Sequence, residues 1–138
     1  MPDPTNAAAK PDKDAKLVLI VEDDKVVREL LATSFEEAGF RARTAKDGIA
    51  AIGDIPVFKP DVILLDMMLP GPSGLDILEQ IQSTGFADTP VVVYTAAYRG
   101  PALKKLEQQF PCVKECVEKP ADLRVVLEAV IRALATRA

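Results

Sequence analysis

Four apolar runs in this chain each break off at a polar residue. Leu17-Val18-Leu19-Ile20-Val21 stops at Glu22-Asp23-Asp24, and Val62-Ile63-Leu64-Leu65 stops at Asp66. Val91-Val92-Val93-Tyr94 stops at Thr95, and Cys116-Val117-Glu118 stops at Lys119-Pro120. Runs of aliphatic and β-branched residues without alternation read as strands buried on both faces. The last of them extends back to Val113, and residues 40–44 alternate as a further short strand.

Between these runs the spacing turns helical. Val26, Val27, Leu30, Leu31, Ser34 and Phe35 recur at three and four, which predicts a helix over about 25–38 with Gly39 just past its end. A weaker helix is expected over 47–55, ended before Pro56. Leu69-Pro70-Gly71-Pro72-Ser73-Gly74 has the chemistry of a loop, after which Leu75, Leu78 and Ile81 mark a third helix. Pro101 suits the first turn of a fourth helix carrying Leu103, Leu106 and Phe110. Leu123, Val126, Leu127, Val130, Ile131 and Leu134 give a strong final one. Residues 1–15 have no apolar periodicity and are rich in Pro, Ala, Asp and Lys, so they are expected to form a flexible tail before a domain over 16–138.

The pattern is five βα units. Helix-length crossovers between buried strands demand a parallel sheet with right-handed connections. The fold class expected is a three-layer, doubly wound α/β sandwich. In such a sheet the strands end on one edge, where ligands bind. The acidic cluster, Asp66, Thr95 and Lys119 should therefore converge on one crevice.

Composition narrows what that crevice can do. The chain has 138 residues, room for one domain. It contains no His, which removes Ser-His-Asp and Cys-His catalysis, His-containing zinc sites and any phosphohistidine role for the chain itself. The net charge of −4 gives no electrostatic reason to expect nucleic acid as a direct partner. The apolar runs are too short to span a bilayer, and no hydrophobic stretch follows Met1, so neither membrane insertion nor a secretory signal is expected. Cys112 and Cys116 stand alone, without His or further Cys, and read as reduced thiols of a cytoplasmic protein.

Carboxylates at two strand ends, open to solvent, suit Mg²⁺, which keeps several waters and favours phosphate as a co-ligand. A desolvated carboxylate at Asp66 beside such a cation is a competent nucleophile toward phosphorus. Lys119, held before Pro120, can neutralise a phosphoryl oxygen as charge develops.

In order along the chain, Val21-Glu22-Asp23-Asp24, Leu65-Asp66-Met67-Met68-Leu69-Pro70 with Gly74, Tyr94-Thr95-Ala96 and Glu118-Lys119-Pro120 resemble the receiver domain of bacterial two-component response regulators, in its single-domain, chemotaxis-regulator-like form. The resemblance covers about residues 16–136. It implies a five-stranded sheet of order 2-1-3-4-5. It also implies that Asp66 is the phosphoacceptor, with Asp23 a direct Mg²⁺ ligand and Glu22 an acid holding the metal through water. The Met68 backbone carbonyl matches the third protein ligand, and Mn²⁺ should substitute for Mg²⁺. Thr95 matches the hydroxyl that bonds the phosphoryl group, Lys119 the ammonium that pairs with Asp66, and Pro120 the proline after a cis bond. Asp24 falls beyond the acidic pair and is taken as a bystander.

The implied function is a single-domain response regulator. It takes a phosphoryl group from a sensor histidine kinase or a phosphotransfer protein, catalyses only its own phosphorylation and dephosphorylation, and changes its affinity for an output protein on the face of helix four, strand five and helix five. Two departures bear on that face. Cys116 stands where the family has a switching Tyr or Phe, with Tyr98 the nearest aromatic by sequence, and the segment 101–115 is longer than usual. The positions that tune dephosphorylation in the family are Met68 and Ala97. One alternative is a receiver-fold interaction module that ignores phosphorylation. A phosphohydrolase of the haloacid-dehalogenase type would need D-x-D after strand one, and dinucleotide or flavin binding a Gly-rich loop there; the chain has neither.

Overall fold

The computed structural model describes residues 14–137; residues 1–13, most of the expected tail, lie outside the described residues. Five strands alternate with five helices. The strands are β1 (Leu17–Val21), β2 (Arg41–Ala45), β3 (Val62–Leu65), β4 (Val91–Thr95) and β5 (Val113–Glu118). The helices are α1 (Lys25–Glu37), α2 (Gly48–Phe58), α3 (Gly74–Gln82), α4 (Pro101–Gln109) and α5 (Leu123–Ala135). All strand pairs are parallel, in the order β2-β1-β3-β4-β5.

The unbroken apolar strands serve two cores at once. Leu19, Val21, Ile63, Leu65, Val91 and Val93 point to one face of the sheet, where they meet Ala51 and Ile55 of α2, Ile77, Leu78 and Ile81 of α3, and Leu103 and Leu106 of α4. Their neighbours Val18, Ile20, Val62, Leu64, Val92 and Tyr94 point the other way, onto Leu31 and Phe35 of α1 and Val126, Ala129, Val130 and Ala133 of α5. The period of two within each strand thus sends alternate residues into separate layers, and both layers are filled. Among the described residues no helix is long and apolar enough to cross a membrane.

Several expected boundaries shift. The second strand is displaced by one residue, because Phe40 turns into the α1 core edge-on against Phe35, ring centroids 5.3 Å apart. Helix α2 runs through Pro56 to Phe58 rather than stopping at Ile55. Pro56 removes one hydrogen bond, yet the turn closes on the far side of it: Lys59, left-handed at φ 48°, donates its amide to the Ile55 carbonyl at 2.9 Å. Phe110 lies just past α4 instead of in it, though it remains buried. Val26, Leu30, Leu75 and Ile131, which follow the helical period, face solvent, while Ile77, Ala129 and Ala133 take core places. Small residues let α5 lie close to the sheet, and a search for large apolar positions overlooks them.

The departure noted around residues 101–115 has a structural counterpart. Val91 pairs with Val113 but Val92 pairs with Glu115, so Lys114 is an extra residue bulged out of β5. The strand recovers register in time to place Glu118 opposite Thr95.

Candidate functional site

The C-terminal ends of β1, β3, β4 and β5 meet in one crevice. Its walls include Glu22, Asp23, Asp24, Val27, Asp66 and Lys119, with the segment 67–70 after β3. Every functional side chain named from the sequence is placed there or at its floor by register. The amide of Asp66 donates to the Val21 carbonyl, and that of Lys119 to the Thr95 carbonyl, at 3.0 and 2.9 Å. The last rung of each strand pair thus fixes the first residue beyond it.

Asp66 is the centre. Its Oδ1 accepts from the Thr95 hydroxyl at 2.8 Å and from the Met68 amide at 3.0 Å. Its Oδ2 accepts from Lys119 Nζ at 2.8 Å. Glu22 accepts from the same ammonium at 2.6 Å and from the Asp24 amide at 3.1 Å. Thr95, Glu22 and Asp66 are 0%, 2% and 6% exposed, whereas Asp23 is open to solvent. The site is closed at the bottom and wet at the top, a shape that lets a phosphate and a hydrated cation enter from one side.

Burial pushes the Glu22 carboxyl above its usual range, although the Lys119 ammonium and the Asp24 amide pull it back. Burial alone would lower Lys119, yet its hydrogen bonds and charge attraction to Asp66 and Glu22 outweigh that, and its proton is held more tightly than in water. The two directions agree physically. Glu22 sits deeper than the ammonium it pairs with, and Lys119 answers to two acids rather than one. Lys119 also lies 5.1 Å from the centre of the Tyr94 ring, which supports its charge from below.

One carboxylate oxygen from each of Glu22, Asp23 and Asp66 lies within 4.8 Å of the others. Hard oxygen donors of this number and charge fit a divalent cation such as Mg²⁺. The Lys119–Pro120 bond is cis.

The loop between β3 and α3 closes the site from the side, and glycine is required there. A Cβ on Gly74 would come within 2.6 Å of Met67 Sδ and 2.7 Å of Met67 Cα, and one on Gly48 within 2.3 Å of the Pro72 carbonyl oxygen. The loop is therefore packed onto α2 and onto itself. Ser73 caps α3 reciprocally with Asp76.

Two residues carry more than the sequence suggested. Asp24 is the N-cap of α1, its side chain accepting from the Val27 amide at 3.0 Å, so it anchors the helix that follows the acidic pair. An acid directly before an apolar-periodic segment is the signal for such a cap. Arg28 reaches back from α1 and donates through one nitrogen to the carbonyls of Glu22 and Asp23, at 2.9 and 3.2 Å. A single Arg in a helix gives no sequence signal for this.

Cys116 and Cys112 are both free thiols. Cys116 lies against the core under α4, its Sγ 3.7 Å from the Leu103 carbonyl it donates to. Burial, with help from Glu107, pushes it up to about 12, and burial pushes Cys112 up to about 11.

Comparison with known proteins agrees with this geometry. A family model for the response regulator receiver domain matches residues 18–131. The response regulator MprA of Mycobacterium sp. (strain KMS) is 40% identical over 79 residues, covering 57% of this chain and 34% of its own length. MprA of Mycobacterium avium (strain 104) matches over the same shares. The chain thus spans about a third of the length of the curated relatives it matches. Among solved structures, the receiver domain of the Francisella response regulator 1452 is 26% identical with a TM-score of 0.79, covering 89% of this chain and 99% of that one. A signal receiver domain from Vibrio parahaemolyticus is 27% identical with a TM-score of 0.82, over 89% and 92% of the two chains. The chemotaxis protein CheY4 of Vibrio cholerae, at 22% identity and a TM-score of 0.78 over 86% of this chain and 98% of its own, shares the fold.

Proposed function

The chain belongs to the response regulator receiver domain family of two-component signalling, whose members interact with histidine kinases and output domains, and we propose that it serves there by accepting a phosphoryl group on Asp66. One observation carries the reading. Asp66 is a buried carboxylate held by a hydroxyl, an ammonium and an amide, with a solvent-facing acidic pair beside it.

The step balances without any redox partner. An Asp66 oxygen attacks phosphorus of a phosphohistidine on a histidine kinase or phosphotransfer protein. An O–P bond forms as the N–P bond breaks, and the departing imidazole nitrogen keeps the electron pair and takes a proton from water. Glu22, Asp23 and Asp66, with the Met68 carbonyl, would hold Mg²⁺ or Mn²⁺, which when bound offsets the charge that collects as phosphate meets carboxylate. Lys119, already paired with Asp66, turns its ammonium to a phosphoryl oxygen. The Thr95 hydroxyl, now donating to Asp66, turns to another. Thr95 Oγ1 also accepts from the Ala97 amide at 3.2 Å, so the hydroxyl cannot move without drawing on the loop that leads to α4.

On this reading the receiver acts in the cytoplasm and catalyses only its own phosphorylation and dephosphorylation. Its output is a changed affinity for another protein at α4, β5 and α5, with no nucleic acid or membrane contacted directly. A phosphorylation-independent interaction module is the second reading, favoured by one observation: Cys116, in place of an aromatic, is packed under α4 rather than poised to swing.

Intact-mass measurement after incubation with Mg²⁺ and acetyl phosphate separates the two. The wild type should gain one phosphoryl group, and Asp66→Asn none. A wild type that stays unmodified under conditions where a known receiver is labelled would leave the interaction module as the better account.

A further inference from the structure

We propose that Arg28 is a positioning residue for the cation site, holding Asp23 in place through the backbone. The proposal rests on the reading of Asp23 as a metal ligand given above.

The ladder around β1 ends abruptly. The Glu22 amide donates to the Ala45 carbonyl and the Val21 carbonyl accepts from the Asp66 amide, both at 3.0 Å. The next two carbonyls, of Glu22 and Asp23, lie past the sheet and before the first turn of α1. Among the described residues their hydrogen-bond donor is the Arg28 guanidinium, whose one Nη reaches both, at 2.9 and 3.2 Å. Left without it, the Glu22–Asp23 peptide unit would have no hydrogen bond among the described residues, and the Asp23–Asp24 unit would keep only the bond from the Asp24 amide to the Glu22 carboxylate.

The three carboxylates differ in how they are aimed. Glu22 is fixed by Lys119 and the Asp24 amide, and Asp66 by Thr95, Met68 and Lys119. The Asp23 carboxylate makes no hydrogen bond or ion pair of its own among the described residues, yet it lies within 4.8 Å of the other two. Its direction is therefore set by its own backbone, and Arg28 holds that backbone. Arg28 is itself anchored, since its amide closes the first turn of α1 on the Asp24 carbonyl at 2.9 Å and Asp24 caps that turn. Partners of this outer kind tune metal affinity by about 10–100-fold elsewhere.

The charge of Arg28 works against a cation. Removing it should on electrostatic grounds tighten divalent binding, whereas removing its hydrogen bonds should weaken it. The opposite signs make a direct test possible. The full chain is titrated with Mn²⁺ alone, following the electron paramagnetic resonance signal of the free ion, with thermal melting as a check on the fold. Arg28→Met should bind about 10-fold more weakly than wild type. Arg28→Lys, which puts three N–H groups on one nitrogen and can still serve both carbonyls, should stay within about 3-fold. Should Arg28→Met fail to fold, Arg28→Gln, which keeps two of the three stem methylenes and a neutral NH2 donor, is read in its place, with a smaller loss expected in the same direction.

Binding as tight as wild type, or tighter, in folded Arg28→Met or Arg28→Gln would overturn the positioning role. Asp23→Asn in the same titration distinguishes the levels. If Asp23→Asn is weakened but the Arg28 variants are not, only the role of Arg28 falls. If the wild type binds no Mn²⁺, or Asp23→Asn binds as well as wild type, the metal reading falls and takes this proposal with it.

Discussion

Lys119 shows how one side chain can hold a site together and still be spared by the fold. It neutralises two acids that would otherwise face each other in a buried corner, at 2.6 and 2.8 Å. Lys119→Met should cost about 1–3 kcal/mol, the usual result of leaving buried polar groups unpaired, against a total stability of roughly 5–15 kcal/mol. The variant should therefore fold but fail to register a bound phosphate mimic. The pH dependence follows from the sign of the shift. Folded Lys119 holds its proton above the unfolded value of 10.5, so its contribution is complete below that value and is lost as the pH rises through the folded one. In urea melts the wild type should be more stable than Lys119→Met at neutral pH, and the gap should close above about pH 10.5. A gap that widens in alkali would mean that the ammonium is not what stabilises the site. At this scale the sequence was informative where a polar residue ended an apolar run, which is how Glu22, Asp23, Asp66, Thr95 and Lys119 were found. It was silent on Arg28, because a half-exposed Arg on a helix looks the same whether or not it reaches back to a loop carbonyl.

Elements were legible to the degree that burial alone decides them. Three of the four apolar runs are strands with both faces covered; the fourth lies in β5, an edge strand whose Lys114 and Glu118 are exposed and whose Cys116 is half-buried. Boundaries were less legible, because they depend on caps and on tertiary contacts. Pro56 reads as a stop, yet α2 passes it, since Ile55 is held in the core and Lys59 closes the next turn. The bulge at Lys114 leaves only a longer segment in the sequence, and its place is set by β4 alongside. Two predictions belong here. Gly74→Ala should destabilise by about 1–3 kcal/mol, as forced overpacking does, because one atom the new methyl meets is the Met67 Cα, which cannot swing away. Chemical denaturation would show it, and an unchanged midpoint would mean that the loop is free to rearrange. The two thiols should resist alkylation while folded. With Cys112 at about 11 and Cys116 at about 12, their thiolate fractions at pH 8 are small. Iodoacetamide should label the native chain at least about 100-fold more slowly than the urea-unfolded one, and comparable rates would contradict their burial.

At the scale of the whole molecule the question is how a change at Asp66 reaches α4. Two ties run from the site into the loop 96–100. Thr95 Oγ1 accepts from the Ala97 amide, and Glu118, next to Lys119, accepts from the Gly100 amide at 3.2 Å. Arg99 adds an exposed ion pair to Glu118 at 3.7 Å, worth little by itself. Phosphorylation that draws Thr95 inward should therefore move the loop even with Cys116 in β5. What is missing is a large group to fill the space left behind. Cys116 is too small and is already packed under α4, whereas Tyr98 is half-buried against the same core and lies within the moving loop. A complete switch, from about 1:99 to 99:1, needs roughly 5.5 kcal/mol of differential stabilisation. Without a ring that flips from hidden to open, the expected shift is smaller, and a partner should bind both forms with a modest preference. Chemical-shift mapping with beryllofluoride would measure it. Changes should concentrate in the loop and the start of α4 and shrink in Tyr98→Ala. If instead large changes spread across 101–110 and 113–117 and persist in Tyr98→Ala, coupling is strong and Tyr98 does not carry it, which would leave the two backbone ties, of the Ala97 amide to Thr95 and of the Gly100 amide to Glu118, as the remaining routes.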